Sequence, residues 1–410
     1  MSAPRRAARA LAGALALLLL VAFRLAHAKG GDVATPPAAA PAAPEISLLT
    51  IGPGEIFFER FGHNAIVVRD PANGSAIAYN YGIFDFAQQD FLLNFARGRM
   101  RYRMALDDLA DDLEMYRDEH REIVEQRLAL TPEQARTLVD FLEWNARPEN
   151  AQYRYDYFEA NCSTRVRDAL DHALGGALHA QSEGRSRGYT YRLDALRLMA
   201  PEPWLMLLID LGLGPYADQR IDYWQESFVP ATLADVVAGA SNGGALAAPA
   251  VTLARGEIEP SPILPPDLRW PFLGLGIALG AGLYLLGGSA RASRRVPLAT
   301  FALLFELFCG IGGLLLLFLW FGTEHRSAWR NENLLLLNPL CLALLPAWFG
   351  IARGRLRERP RARAIAWLVV VGAALALFSK ILPTFAQANL HWIVLFLPIH
   401  LALALRLRRA

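Results

Sequence analysis

Apolar and polar positions alternate along the first half of the chain and merge into long apolar runs along the second. Residues 46–51 predict a strand, ended by Gly52-Pro53-Gly54. Residues 61–68 predict a second strand, rich in β-branched side chains, with His63 at its start. Pro71-Ala72-Asn73-Gly74 supplies turn chemistry, and residues 77–82 predict a third strand that closes a hairpin with the second. Period-two alternation puts Tyr79 and Tyr81 on one face and Asn80 on the other. Asp85 begins a predicted helix that runs to about residue 96 and closes at Gly98. Residues 107–120 predict an acidic amphipathic helix, and residues 128–130 a short strand. Thr131-Pro132-Glu133-Gln134 combines a capping Thr, a Pro in the first turn and a Gln at the capping-box position, so a helix follows to about residue 145. An approach segment, residues 155–161, then turns into a helix over residues 163–174, stopped by Gly175-Gly176. Residues 204–214 are apolar but too short to cross a bilayer.

From Trp270 onward, length and lack of charge predict about five membrane spans: residues 270–286, 297–321, 334–351, 364–382 and 390–405. Arginines settle their orientation. Arg291, Arg294 and Arg295 follow the first span, the series from Arg353 to Arg363 follows the third, and Arg406, Arg408 and Arg409 follow the last. By the positive-inside rule these regions are cytoplasmic, so an odd number of spans leaves the preceding domain outside. The N-terminus agrees: Arg5, Arg6 and Arg9 precede a short apolar run, and Ala26-His27-Ala28 fits a small-x-small cleavage site. The predicted organisation is a signal peptide or retained anchor (1–28), an Ala/Pro-rich linker (29–44), an exported domain (45–259) and a transmembrane domain (270–406). The 54% hydrophobic content is spread unevenly in this way, and the net charge of +2 hides the clustering of arginines beside the apolar runs. No basic stripe interleaved with aromatics points to nucleic acid.

The exported domain carries one cysteine of the chain's three, Cys162, at a predicted helix start. Unpaired N–H groups and the dipole there favour a thiolate and predict a lowered thiol pKa. Cys309 and Cys341 fall in predicted spans, as small apolar side chains. A thiol nucleophile needs a base. His120 sits in a charged run, His172 lies almost three turns along the Cys162 helix, and His179 is near a loop. His63, held at a strand start, is the best base, and Asn80 on the paired strand is a plausible orienter. The competing reading makes His63 a strand cap, Asn80 a satisfied core amide and Cys162 a small buried hydrophobe. No metal-ligand spacing, Walker loop, dinucleotide fingerprint or Gly-x-Ser-x-Gly occurs in the exported domain, so neither a metal nor a cofactor is expected there.

Phe61-Gly62-His63, Tyr79-Asn80-Tyr81-Gly82-Ile83-Phe84-Asp85-Phe86, Phe95-x-x-Gly98 and Asn161-Cys162-Ser163-Thr164-Arg165-x-Arg167-Asp168 together resemble the Lnb N-terminal periplasmic domain family. The resemblance implies an α+β permuted papain-like (NlpC-type) periplasmic domain, followed by an α-helical transmembrane bundle. In that fold a His on a strand precedes a Cys that begins a helix, which maps onto His63 and Cys162. The characterised branch of the family transfers an acyl chain onto the N-terminal cysteine of bacterial lipoproteins. The membrane half is also similar, through Thr323-Glu324-His325, Asn331-Glu332-Asn333 and Gln387-x-Asn389. The expectation is thus a thiol acyltransferase at the outer face of the cytoplasmic (inner) membrane, with membrane lipids or lipoproteins as partners. Catalysis would fall to Cys162, His63 and Asn80, and substrate binding to Tyr157, Asn161, Arg165, His325, Asn331 and Asn333. Two alternatives stay open: a Cys/His lipid esterase or cell-wall amidase, and a non-catalytic membrane assembly protein. Glu306, inside the second span, either pairs with a neighbour or reaches the cytoplasmic surface. Oligomeric state is not legible.

Overall fold

The computed structural model describes residues 43–84, 89–287, 291–355 and 359–407. The predicted signal segment, nearly all of the linker and the helix start at Asp85 lie outside the described residues. Residues 44–410 form one compact unit.

Its first half is built on an antiparallel sheet with strand order β6-β4-β3-β2-β1-β5-β7. The strands are β1 (Glu45–Ile51), β2 (His63–Arg69), β3 (Ala76–Ile83), β4 (Arg101–Asp108), β5 (Ile123–Arg127), β6 (Gln152–Arg154) and β7 (Val251–Ala254). The predicted hairpin is β2–β3, with Ala65 opposite Asn80. His63 stands two residues from Ala65 on the same face, so His63 and Asn80 are diagonal neighbours across the pair. Alternation also sorts the two faces as expected. Tyr79 and Tyr81 join the core with Ile46, Leu48 and Ile66, while Ala65, Val67 and Ala78 pack on the opposite side with Leu109 and Tyr116.

The helices used below are α1 (Phe91–Ala96), α2 (Leu109–Asp118), α3 (Pro132–Ala146), α4 (Cys162–Ala173) and α5 (Pro203–Gly212). Helix α3 starts on the predicted capping box: Thr131 Oγ1 accepts from Gln134 N at 3.2 Å, and Gln134 Oε1 accepts from Thr131 N at 2.9 Å. The helix expected over residues 107–120 begins at Leu109, because Asp108 caps it by accepting from Ala110 N at 2.8 Å. The residues before it form β4, where Met104 is buried in the core with Ile66 and Tyr79. The short strand expected over residues 128–130 lies earlier, as β5, and Leu128 adds only a bridge to Ala247. Strand β7, in a stretch with no clear alternation, extends the sheet beyond β5.

In the second half, α6 (Arg269–Leu286), α7 (Ala292–Phe321), α9 (Pro360–Ser379) and α10 (Leu390–Leu407) are each long and apolar enough to cross a membrane. The predicted third span is broken: residues 326–335 and Pro339–Ala352, which ends in α8 (Leu345–Ala352), meet at 44°. Asn338 caps the restart, accepting from Leu340 N at 3.0 Å, and Pro339 cannot continue a preceding helix. Helices α6 and α10 pack closely because Gly276 and Gly280 present no side chain. A Cβ on Gly276 would sit 2.5 Å from the Val394 carbonyl oxygen.

Candidate functional site

Cys162 is the first residue of α4, and its position is fixed by Asn161 before it. Asn161 Oδ1 accepts from Thr164 N at 2.9 Å, and Thr164 Oγ1 accepts from Asn161 N at 2.8 Å, closing a capping box. The other end of the same amide donates to the carbonyls of Phe228 (2.8 Å) and Tyr157 (3.1 Å). Asn161 is buried and its hydrogen-bonding capacity is spent on the turn. It therefore positions Cys162 at the start of the helix.

Three backbone N–H groups approach the half-buried Cys162 sulfur: those of Asn64, Ser163 and Cys162 itself. Asn64 follows His63 directly on β2, so the strand that carries the histidine also contacts the thiol. Ser163 Oγ lies 2.8 Å from Asn64 Oδ1, a second tie between helix and strand. From the third strand Gly82 lies against the cysteine. Its φ is +90°, a conformation L side chains rarely adopt, and a Cβ there would meet the Cys162 Cβ at 3.1 Å.

His63 Nε2 is 3.0 Å from Asn80 Oδ1. The other end of that amide donates to Asp107 Oδ2 (2.9 Å) and Asp112 Oδ2 (3.2 Å). Two carboxylates hold the NH2 end of Asn80, so its carbonyl end must face the imidazole. His63 therefore carries its proton on Nε2, and Nδ1 keeps the lone pair. Burial pushes the imidazole down to about 4, against the hydrogen bond that His63 donates to Asn80, which favours the protonated form. Burial also pushes the Cys162 thiol up, and the three N–H groups only partly offset it. This corrects the expectation of a lowered thiol: enclosure outweighs the helix terminus. Both shifts favour the neutral forms, thiol and imidazole. Tyr116, whose ring is 6.3 Å from that of His63, closes the same side beneath Arg121.

An aromatic wall runs out from the cysteine. Phe58 meets Phe84 at 5.8 Å, Phe84 meets Tyr102 at 5.3 Å, and Tyr102 stacks on Tyr155 at 4.1 Å. Tyr155 meets Tyr157, which stacks on His325 with ring centres 6.0 Å apart. Around this wall Phe57, Leu92, Leu93 and Phe95 are exposed. Arg165 is held over the rings of Tyr153 (4.9 Å) and Tyr81 (5.7 Å), one helical turn beyond Cys162. Tyr157, Arg165 and His325 thus lie on the side of the domain that carries the thiol. His325 also docks the membrane half, donating from Nε2 to the Phe95 carbonyl at 3.0 Å.

Asn331 and Asn333 do not belong to this surface. Both are buried. Asn331 Nδ2 donates to the carbonyls at the end of α5, at 2.8 Å from Leu211 and 3.0 Å from Gly212. Asn333 Nδ2 reaches the Leu211 carbonyl at 3.2 Å, and its oxygen accepts from Asn389 at 2.8 Å. They satisfy helix-end carbonyls and join the two halves. Asp107, Asp112, Asn64 and Gly82 were not singled out from the sequence as site residues. Only Gly82 carried a signal, as a glycine inside a strand.

Residues 37–201 match the family model of the Lnb N-terminal periplasmic domain, and residues 274–409 match that of the Lnb transmembrane domain. No curated protein and no solved structure matches the chain.

Proposed function

From a chain that belongs to the Lnb family by both its periplasmic and its transmembrane domain, we propose a thiol acyltransferase at the outer face of the inner membrane, anchored by several spans. The observation that carries the reading is the Asp107/Asp112–Asn80–His63 chain beside a cysteine whose sulfur meets three backbone N–H groups. A strand-borne His preceding a helix-initiating Cys also favours the permuted papain-like reading of the domain.

In this mechanism His63 Nδ1 takes the Cys162 proton as the sulfur attacks an ester carbonyl. The backbone N–H of Cys162 and its neighbours stabilise the oxyanion. The alcohol leaves with the proton from His63, and a thioester remains on Cys162. An amine then attacks the thioester, His63 accepts its proton and returns it to the departing thiol, and an amide is formed. The aromatic wall and the exposed apolar side chains of α1 suit an acyl chain that stays in contact with the bilayer.

The test uses the full chain in lipid vesicles with a lipopeptide bearing a free N-terminal amine. The expected outcome is a lipopeptide heavier by one acyl chain and a hydroxylamine-labile acyl adduct on Cys162, both absent from Cys162→Ser and His63→Ala. Free fatty acid in place of acylated peptide would assign a hydrolase to the same pair. Equal turnover by Cys162→Ser would remove both enzyme readings.

A further inference from the structure

Inside the membrane bundle, remote in sequence from Cys162, a second cluster of reactive side chains meets. Glu306 and Cys309 stand on one face of α7, three residues apart. Cys341 comes from the broken third span and His400 from α10. Ligand atoms of Glu306, Cys341 and His400 all lie within 4.8 Å of one another. Cys309 is in hydrogen-bonding reach of Cys341 and His400. None of the four is more than 3% exposed, so Glu306 does not reach the cytoplasmic surface, one of its two expected placements. It lies near the middle of the 30-residue α7, on the order of 20 Å from either end.

Two details point to a ligand. Glu306 Oε2 is buried and has no hydrogen-bond partner among the described residues, and an uncompensated carboxylate at that depth is expensive. His400 Nε2 lies 3.0 Å from the Leu336 carbonyl, to which it can only donate. The ring proton therefore sits on Nε2 and Nδ1 keeps its lone pair. A carbonyl on the far ring nitrogen is how proteins orient a metal-binding imidazole.

We propose that Glu306, Cys341 and His400, with Cys309 at hand as a fourth donor, bind a divalent metal ion, zinc by its donor set. Nitrogen, thiolate and carboxylate donors in a closed, tetrahedral-sized cluster are the ligands of structural zinc. Binding displaces the Cys341 proton, and any proton on Glu306, to solvent. One thiolate, one carboxylate and a neutral imidazole then balance the two positive charges, so these ligands bring no net charge into the bilayer. The ion would join α7, the broken third span and α10 at mid-membrane.

The test measures metal on the tag-free full chain, purified in detergent after zinc loading and gel filtration. The expected content is about one zinc per chain, falling at least ~10-fold in Cys341→Ser and His400→Ala. Glu306→Gln keeps the shape and removes a charge, so it is expected to stay monodisperse while losing zinc. Cobalt loading should add a thiolate-to-metal absorption in the near ultraviolet that Cys341→Ser lacks. Wild-type protein holding less than about 0.1 zinc per chain after loading would overturn the proposal. So would a Cys309–Cys341 disulfide in its place, or unchanged zinc in all three variants.

Discussion

A cysteine can serve as nucleophile in two resting states, and its neighbours choose between them. In the ion-pair state a charged imidazole stabilises a thiolate. Around Cys162 both members are enclosed, and enclosure penalises each charge: the thiol is pushed up and His63 down to about 4. Iodoacetamide labelling of Cys162, followed by intact mass, should therefore keep rising with pH beyond the range in which an ordinary thiol ionises. A labelling rate already on its plateau at pH 6 would show an ion pair instead. Turnover should hold on the acid side until His63 protonates near pH 4. The same shift bears on stability. Between pH 6.5 and about 4 the unfolded His63 binds a proton that the folded one refuses, so acid removes stability across that window. Gly82 acts through shape. Gly82→Ala places a methyl 3.1 Å from the Cys162 Cβ at a positive φ, and acyl-adduct formation is expected to fall about 100-fold from displacement of the nucleophile, read as single-turnover rate.

At the scale of the element, what organises the site is the start of α4. Asn161→Ala removes the cap and is expected to cost about 1 kcal/mol, or roughly 2–4 °C in melting temperature. Asn161→Ser should recover most of that loss, because its hydroxyl can still accept from the first turn. A drop in both variants alike would mean that the bonds to the Phe228 and Tyr157 carbonyls matter more than the cap. This helix start was legible in the sequence because capping is local: Asn161 and Thr164 are three residues apart. Strands β1 to β3 were legible for the same reason, through alternation and turn chemistry. Strand β4 was not, since its alternation is carried by a few side chains set among arginines and aspartates. The contact between His63 and Asn80 could be read from strand register, which carries one to the other. The two carboxylates behind Asn80 could not, because Asp112 arrives from α2 across the sheet and only tertiary packing brings it there. The broken third span was hidden too: composition reports apolar length, whereas the break depends on how Asn338 and Pro339 meet their neighbours.

At the scale of the whole molecule, the two halves are joined by contacts of unequal weight. On the surface Glu324 pairs with Arg99 at 2.7 Å and with Arg154, but both arginines are more than half exposed. Such pairs are worth ~0–1 kcal/mol, since water screens them and long side chains lose freedom. In the interior Arg192 donates to Asp210 at 2.6 Å and to Asp218 at 2.8 Å, with every partner at most 5% exposed. Asp210 in turn accepts from Trp392 Nε1 at 2.7 Å, at the head of α10, so the pair reaches from the periplasmic half into the membrane half. Arg192→Met would leave two enclosed carboxylates without the guanidinium they share, Asp210 keeping only its contacts to His391 and Trp392. That is expected to cost about 3–5 kcal/mol, because the penalty of burying charge remains after its partner has gone. Glu324→Gln should shift the melting temperature little. The check is thermal unfolding of both variants in detergent, with tryptophan fluorescence as the probe. A large loss for Arg192→Met beside a small one for Glu324→Gln supports the buried network as the joint, and the reverse order would put the joint at the outer loop.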